Sequence, residues 1–478
     1  MTTPTLLWLR RDLRLSDHAA LEAAVARGGP VIPVYIRDHL TDALGAAPKQ
    51  RLDMALEVFA ETLEAKGSRL ILRAGPAREV LEDLVRETGA GAVYWQRLHD
   101  PQAVERDTRV KSALKDAGLE VRSFPGQLLF EPWGVATGQG GYYRVFTPYW
   151  RAVKDRAVPE PLAAPADLPA PARWPGSDRR ADWALSAPMR RGAAVLRAHV
   201  AAGEAAALTR LATFARDRIA RYAEDRDLPA EDATSDMSQY LTTGEISPRR
   251  CWHAGLRARA AGKPGAETFL KELAWREFAA HLAWHSPELL SDNWRPEWRD
   301  FPWDANPERP EVLAWKQGRT GIPFVDAAMR ELYVTGRMHN RARMIVASYL
   351  TKNLLAHWKI GCDWFADTLV DWDPASNAMG WQWVAGSGPD AAPYFRVFNP
   401  ETQAEKFDPD RIYRRRWLAE GQAQPPDTAL AFYQAIPRSW QLAPSDPPPT
   451  PREDPKRGRQ RALDAYQTFR AAREEAAD

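Results

Sequence analysis

Over residues 1–130 the chain alternates two hydrophobic rhythms. Short β-branched and aromatic runs at 6–9, 31–36, 70–72, 92–94 and 121–124 predict strands. Between them, apolar residues recur every three to four positions at 17–27, 50–66 and 77–88, which predicts amphipathic helices. Strand and helix alternating at this spacing predict an α/β domain built on a doubly wound, parallel, five-stranded sheet. No G-x-G-x-x-G follows the first strand, so a dinucleotide fingerprint is absent. A ligand crevice is still expected at the carboxyl ends of the strands. Residues 131–192 read as an interdomain linker, because the prolines between Pro159 and Pro171 cannot continue helix or sheet. From 193 to 478 strand signals nearly vanish. Helical periods at 204–225, 267–284, 323–335 and 341–358 predict an all-α domain, with a proline-rich connector at 444–451 and a terminal helix over about 459–475.

Composition changes this picture little. The chain has 478 residues and a formal net charge of +2, so a nucleic-acid partner would have to use a local basic patch. Two cysteines, Cys251 and Cys362, cannot build a disulfide framework or a four-cysteine iron–sulfur site, and no metal site is expected. No signal peptide and no bilayer-spanning apolar run is evident, so a cytoplasmic location is expected. Twenty tryptophans are unusual, and helix packing accounts for most of them.

Candidate chemistry lies where polar residues interrupt otherwise buried helical stretches. Buried polar groups need partners, and a large polar ligand supplies them. Thr234, Ser235, Asp236, Met237 and Ser238 precede a helical stretch, where hydroxyls and backbone N–H groups serve either as an ordinary cap or as a phosphate cradle. Glu272, Trp275 and Arg276 share one helix face, offering an acid, an aromatic plate and a guanidinium. Those three suit a flat hydrogen-bonding heterocycle such as a base, or a surface ion pair beside a core Trp. Asn340, Arg343 and Met344 share another face, and Arg343 is placed to pair with Asp371 or Asp373. Asn377 and Trp381 are one helical turn apart, with Trp383 two residues on.

These residues carry a resemblance to a known family. Trp8-Leu9-Arg10-Arg11-Asp12-Leu13-Arg14, Thr234-Ser235-x-x-Ser238, Trp275-Arg276-Glu277-Phe278, Met338-His339-Asn340-Arg341 and Trp381-Gln382-Trp383 occur in the order found in photolyase/cryptochrome flavoproteins, and the chain resembles that family over nearly its full length. The resemblance implies an antenna domain followed by a helical domain holding FAD. It implies light-driven repair of cyclobutane pyrimidine dimers by electron transfer to a flipped-out lesion. FAD would be held by Tyr222, residues 234–238, Asn340, Arg343, Asp371, Trp372, Asp373 and Asn377, the last facing the flavin N5. Glu272 would bond the dimer edge, and Trp275, Arg276, Asn340, Met344 and Trp383 would form the DNA-binding pocket. Arg226, Arg341 and Arg396 would meet phosphates, while Trp381, Trp358 and Trp303 would relay electrons. Asn377, and Asn340 with Met344 in place of paired histidines, favour the dimer enzyme over a cryptochrome-like blue-light receptor or a (6-4) enzyme. A single-strand-preferring cryptochrome-DASH type is the other alternative. A second chromophore, methenyltetrahydrofolate rather than deazaflavin, is expected, and the protein is expected to act on damaged DNA as a monomer without a protein partner. Asp236 departs from the family pattern and must point away from a diphosphate or pair with a base.

Overall fold

The structure is a computed structural model describing residues 2–477. Five strands, β1 (Thr5–Leu9), β2 (Val31–Arg37), β3 (Ile71–Ala74), β4 (Ala92–Gln96) and β5 (Glu120–Phe124), form one sheet in the order β3-β2-β1-β4-β5, with every pairing parallel. A parallel sheet must be covered on both faces, and the period of two meets that need. Leu7, Leu9, Tyr35 and Tyr94 pack on one side with Leu21 and Leu56, while Leu6, Trp8, Ile32, Val34 and Trp95 pack on the other with Leu81 and Leu114.

The strand order reverses between β1 and β4, where an open α/β sheet forms its crevice. Here that crevice docks the two domains. Arg14 donates to Gln96 Oε1 at 3.1 Å and to the carbonyl of Gly244 at 2.8 Å, and the Leu13 N–H reaches the Thr243 carbonyl at 3.3 Å. Gly244 has φ +72°, and a Cβ there would lie 1.9 Å from the Arg11 carbonyl oxygen, so only glycine permits this approach. A fully buried pair, Arg51 with Glu245, fixes the same seam.

Within the expected linker, Phe146–Val153 forms a helix, and its Phe146, Tyr149 and Trp150 are buried in a core shared with helix Ala266–His285. Two helical periods are divided. The 204–225 stretch is an α-helix Glu204–Thr213, a π turn at Phe214–Arg218, a 3-10 turn at Ile219–Arg221 and a short helix Tyr222–Asp225. The 341–358 stretch is also not one helix. Helix Asn340–Ser348 runs into a π turn at Tyr349–Asn353, and Trp358 begins a new helix, Trp358–Thr368. The break has a tertiary cause: Asp304 forms an isolated parallel bridge with Ala356, its N–H donating to the Leu355 carbonyl at 2.8 Å and its carbonyl accepting from His357 at 2.9 Å. Helix Pro323–Thr335 has the expected bounds, and the terminal helix runs Pro455–Ala477. Among the described residues no helix is long and apolar enough to cross a membrane.

Candidate functional site: a two-lobed cavity in the helical domain

Helices Ala266–His285, Asn340–Ser348 and Pro374–Ala385 surround two contiguous cavities of about 660 and 620 Å³, which share Glu272, Trp275, Asn340, Arg343, Asp371 and Asp373. The first lobe also holds Arg226, Arg341, Met344, Trp372, Asn377, Trp381 and Trp383. Tyr222, residues 234–238 and Arg276 line the second. The polar residues scattered along the sequence therefore meet around one space large enough for a folded dinucleotide.

Charge in this space is balanced locally. Arg343 donates to both Asp371 oxygens at 2.8 and 3.0 Å and to the Met338 carbonyl at 2.8 Å. Asp373 instead caps helix Pro374–Ala385, accepting from the Ser376 N–H at 2.8 Å. Asp236, at φ +62°, binds Arg337, so the acid of this segment is paired with a base. None of the 234–238 hydroxyls caps helix Ser238–Thr243; Ser235 Oγ accepts from the Met237 N–H at 3.4 Å, and the segment lines the second lobe. Glu272 is bound by Arg226, whose guanidinium lies 5.6 Å from the Tyr222 ring centroid. Arg341 donates to Asp227 at 2.5 Å and lies 4.5 Å over Phe407. Arg276 is turned to the Gln127 carbonyl at 3.0 Å and to Glu277, so its donors serve the domain seam.

Asn377, His339 and Trp381 contribute polar groups to the walls of the lobes. Asn377 donates its amide to the Cys362 carbonyl at 2.9 Å, which leaves its side-chain oxygen as a neutral acceptor on the cavity side. His339 accepts the Arg341 N–H on Nδ1 at 3.2 Å. Burial pushes its pKa down to about 4, with Asp227 opposing, so the ring is neutral at pH 7 and Nε2 carries the proton. Nε2 of His339 and Nε1 of Trp381 are both buried without a protein partner and belong to cavity-lining residues.

Trp381, Trp358 and Trp303 are all buried, but their rings do not form a simple stack. Trp381 touches Phe365 and Trp315 at 5.0 and 6.1 Å between centroids. Trp303 and Trp358 each contact His357, at 5.4 and 5.6 Å. Trp358 Nε1 donates to Asn293 at 2.8 Å and Trp303 Nε1 to the Thr351 carbonyl at 3.1 Å. Arg396 lies outside both lobes, exposed on the segment 387–399 beside Phe395.

Sequence reasoning missed several groups. Phe146 stacks on Trp275 with centroids 3.7 Å apart and planes 7° apart. Asp227 and Arg337 neutralise site charges, and each sits directly beside a motif residue, which was the available signal. At the domain seam, the half-exposed Trp133 lies 5.0 Å from Trp284 and 5.9 Å from His99, with Arg97 5.9 Å over its ring.

Comparison with known proteins agrees with this architecture. The family model for DNA photolyase matches residues 5–171, and that for the FAD binding domain of DNA photolyase matches residues 269–468. A deoxyribodipyrimidine photo-lyase of Agrobacterium fabrum is 48% identical over 422 residues, covering 88% of each chain. The crystal structure of a bacterial class III photolyase from Agrobacterium tumefaciens superposes with a TM-score of 0.89 at 44% identity, covering 98% of each chain. An archaeal photolyase from Sulfolobus tokodaii, solved with two FAD molecules, gives 0.78 at 28% identity, covering 98% of this chain and all of that one. This chain belongs to the DNA photolyase family, and its helical domain is of the FAD-binding type.

Proposed function

We propose that this protein is a light-driven deoxyribodipyrimidine photo-lyase that repairs cyclobutane pyrimidine dimers in DNA. The observation that carries the reading is the first lobe: a base-sized opening lined by Glu272, Trp275, Met344 and Trp383, continuous with the space that Asn377 and Trp381 line. FAD, when bound, supplies light absorption and one-electron donation; the residues supply everything else. Tyr222, the 234–238 segment and the Arg343–Asp371 pair hold the dinucleotide, and the neutral amide of Asn377 meets the flavin edge. A dimer stacks poorly in the duplex, so extruding it costs less than extruding a normal base. Once extruded it lies against Trp275 and Trp383, which exclude water, and Glu272 accepts from its edge. Arg226, Arg341 and Arg396 contact flanking phosphates. Met344 and Asn340 offer no acid–base pair, which suits ring splitting by electron transfer and not the chemistry of a (6-4) lesion. Trp381, Trp358 and Trp303 would relay electrons to reduce bound FAD, His357 lying between the last two rings.

The second chromophore, methenyltetrahydrofolate in preference to a deazaflavin, stacks at the seam on Trp133 and Trp284, where two indoles suit a flat heterocycle and the Arg97 cation suits the carboxylates of a glutamate tail. The protein works in the cytoplasm as a monomer. The test is repair under blue light by purified, reduced protein on duplexes, and on the matching single strands, carrying either a cyclobutane thymine dimer or a (6-4) photoproduct. Repair of the first alone supports the reading. Repair of neither, with FAD bound and photoreducible, would replace it with a light sensor, and repair confined to single strands would replace it with the DASH type.

A further inference from the structure

The segment 387–399 leads from helix Pro374–Ala385 to helix Pro400–Phe407 and presents Phe395, 62% exposed, and the exposed Arg396. Its backbone is nonetheless tied down. The Arg295 N–H reaches the Ser387 carbonyl at 3.1 Å, Lys352 Nζ reaches the Arg396 carbonyl at 2.9 Å, and the Phe398 N–H reaches Ser348 Oγ at 3.1 Å. Those ties hold the segment to its own helical core. One further tie goes elsewhere: Asp390 Oδ2 accepts the Phe146 N–H at 3.2 Å, joining residues 244 positions apart.

Phe146 is the first residue of helix Phe146–Val153, whose preceding Val145 offers no side-chain cap. The N–H groups of a first helical turn lack intrahelical partners and favour negative charge. Asp390 supplies both the acceptor and the charge from across the fold. It does so from φ +48°, a left-handed conformation that costs a non-glycine residue free energy and persists only where its surroundings enforce it. The Phe146 ring in turn lies flat on Trp275, which lines the first lobe next to Glu272. A continuous physical path therefore runs from the Trp275 plate through Phe146 and Asp390 to the segment bearing Arg396.

We propose that Phe146 and Asp390 are positioning residues that couple the Trp275 plate of the lesion pocket to the DNA-facing segment 387–399. Seating that segment on the DNA backbone and stacking the extruded dimer then become one cooperative event. The inference rests on the dimer-repair reading and adds to it a source of preference for damaged over undamaged duplex. An ordinary helix cap and core ring would affect stability alone and leave that preference unchanged.

The experiment measures Kd for matched duplexes with and without one cyclobutane thymine dimer, alongside FAD content and Tm. Asp390→Ala should raise Kd for the damaged duplex about tenfold, the loss expected from one cap-type hydrogen bond, and change Kd for the undamaged duplex less than about twofold. Asp390→Asn keeps an acceptor oxygen and should stay within about threefold of the unsubstituted protein. Phe146→Leu should reproduce the Asp390→Ala result, and Phe146→Tyr, which keeps the flat ring, should restore binding. Equal weakening on both duplexes, unchanged binding in Asp390→Ala, or Asp390→Asn as weak as Asp390→Ala would overturn the coupling. If the unsubstituted protein itself shows no preference for the damaged duplex, the repair reading fails and the coupling falls with it. A preference that Asp390→Ala leaves undiminished overturns the coupling alone.

Discussion

Gly361→Ala places a single methyl group against the tryptophan nearest the proposed flavin site. Gly361 lies in helix Trp358–Thr368, where alanine is the better helix former by about 1 kcal/mol. An exposed position would therefore gain stability. Here, however, the added Cβ would sit 2.0, 2.4 and 2.5 Å from three ring carbons of Trp381. Carbon atoms need about 3.5 Å, so the indole or the helix must retreat by about 1.5 Å. Trp381 is 2% exposed and is wedged against Phe365 and Trp315, so the ring has little room to yield. Overpacking of this kind costs about 1–3 kcal/mol, occasionally more, and the contact is with a rigid bicyclic ring rather than a flexible chain end. With a rigid ring as the obstacle the cost falls at the upper end of that range, so the steric term should outweigh propensity and leave a net loss of about 2 kcal/mol. In a domain of this size that is a fall in Tm of a few degrees. Because Trp381 must shift, photoreduction of oxidised enzyme should slow severalfold, while enzyme reduced chemically beforehand should repair at nearly its normal rate. Thermal unfolding followed by flavin fluorescence, and photoreduction followed by absorbance, read the two effects separately. A rise in Tm with unchanged photoreduction would refute the reasoning, because it would mean that helix propensity wins and the Trp381 ring is free to move.

Three other perturbations probe separate parts of the site. Glu272→Ala should weaken binding of dimer-containing DNA at least tenfold and leave FAD content intact; loss of FAD instead would move Glu272 out of the lesion pocket. Trp381→Phe should slow photoreduction strongly and spare repair by chemically reduced enzyme, and a comparable loss in both assays would contradict the relay. Lys352 is fully buried and has no acidic partner among the described residues; burial pushes its pKa down to about 7 from 10.5, with Arg396 adding to the shift. Between those pH values the unfolded chain holds a proton that the folded chain lacks, so stability should rise with pH across that window. Lys352→Met should flatten this rise and raise stability near pH 6.5, as measured by urea unfolding at several pH values; an unchanged slope would show that the ammonium is accommodated after all.

The sheet was legible because its three inner strands, β2, β1 and β4, are short, almost wholly buried runs whose alternate residues serve two opposite cores, as Leu6 and Leu7 do. Helix Pro323–Thr335 was legible to the residue, with Pro323 at its start and Gly336, at φ +65°, just beyond its end. The break before Trp358 was not, because its cause is the Asp304–Ala356 bridge between distant segments and not a local breaker. Spacing brought Glu272 and Trp275 onto one face, and the structure has both lining the first lobe. It could not separate Arg276 from them, because what draws Arg276 away is the Gln127 carbonyl of another part of the chain. Likewise the choice of Asp371 over Asp373 for Arg343 follows from Asp373 being occupied as a helix cap, a competition that i, i+4 counting does not weigh. Phe146 escaped notice because it lies in a region read as linker, although its neighbours Tyr149 and Trp150 carry a helical apolar period.

The pairing of charges around the cavity gives the near-neutral composition a functional meaning. Arg226, Arg337, Arg341 and Arg343 each have an acid: Glu272, Asp236, Asp227 and Asp371. A rim of free arginines would bind any polyanion, whereas paired ones bind a phosphate only when the acid left behind finds another donor. For Arg226 that condition is selective. If its guanidinium turns to a phosphate, Glu272 loses its partner in a half-buried position and must be satisfied by something else in the first lobe. The imide N–H of an extruded pyrimidine is such a donor, and an undamaged base, still stacked in its duplex, is not. On the proposed reading, the ion pair would make backbone contact at Arg226 conditional on base contact at Glu272. Together with the proposed coupling of Asp390 and Phe146, it would let a protein of net charge +2 favour the one nucleotide pair it acts on without holding the rest of the DNA tightly.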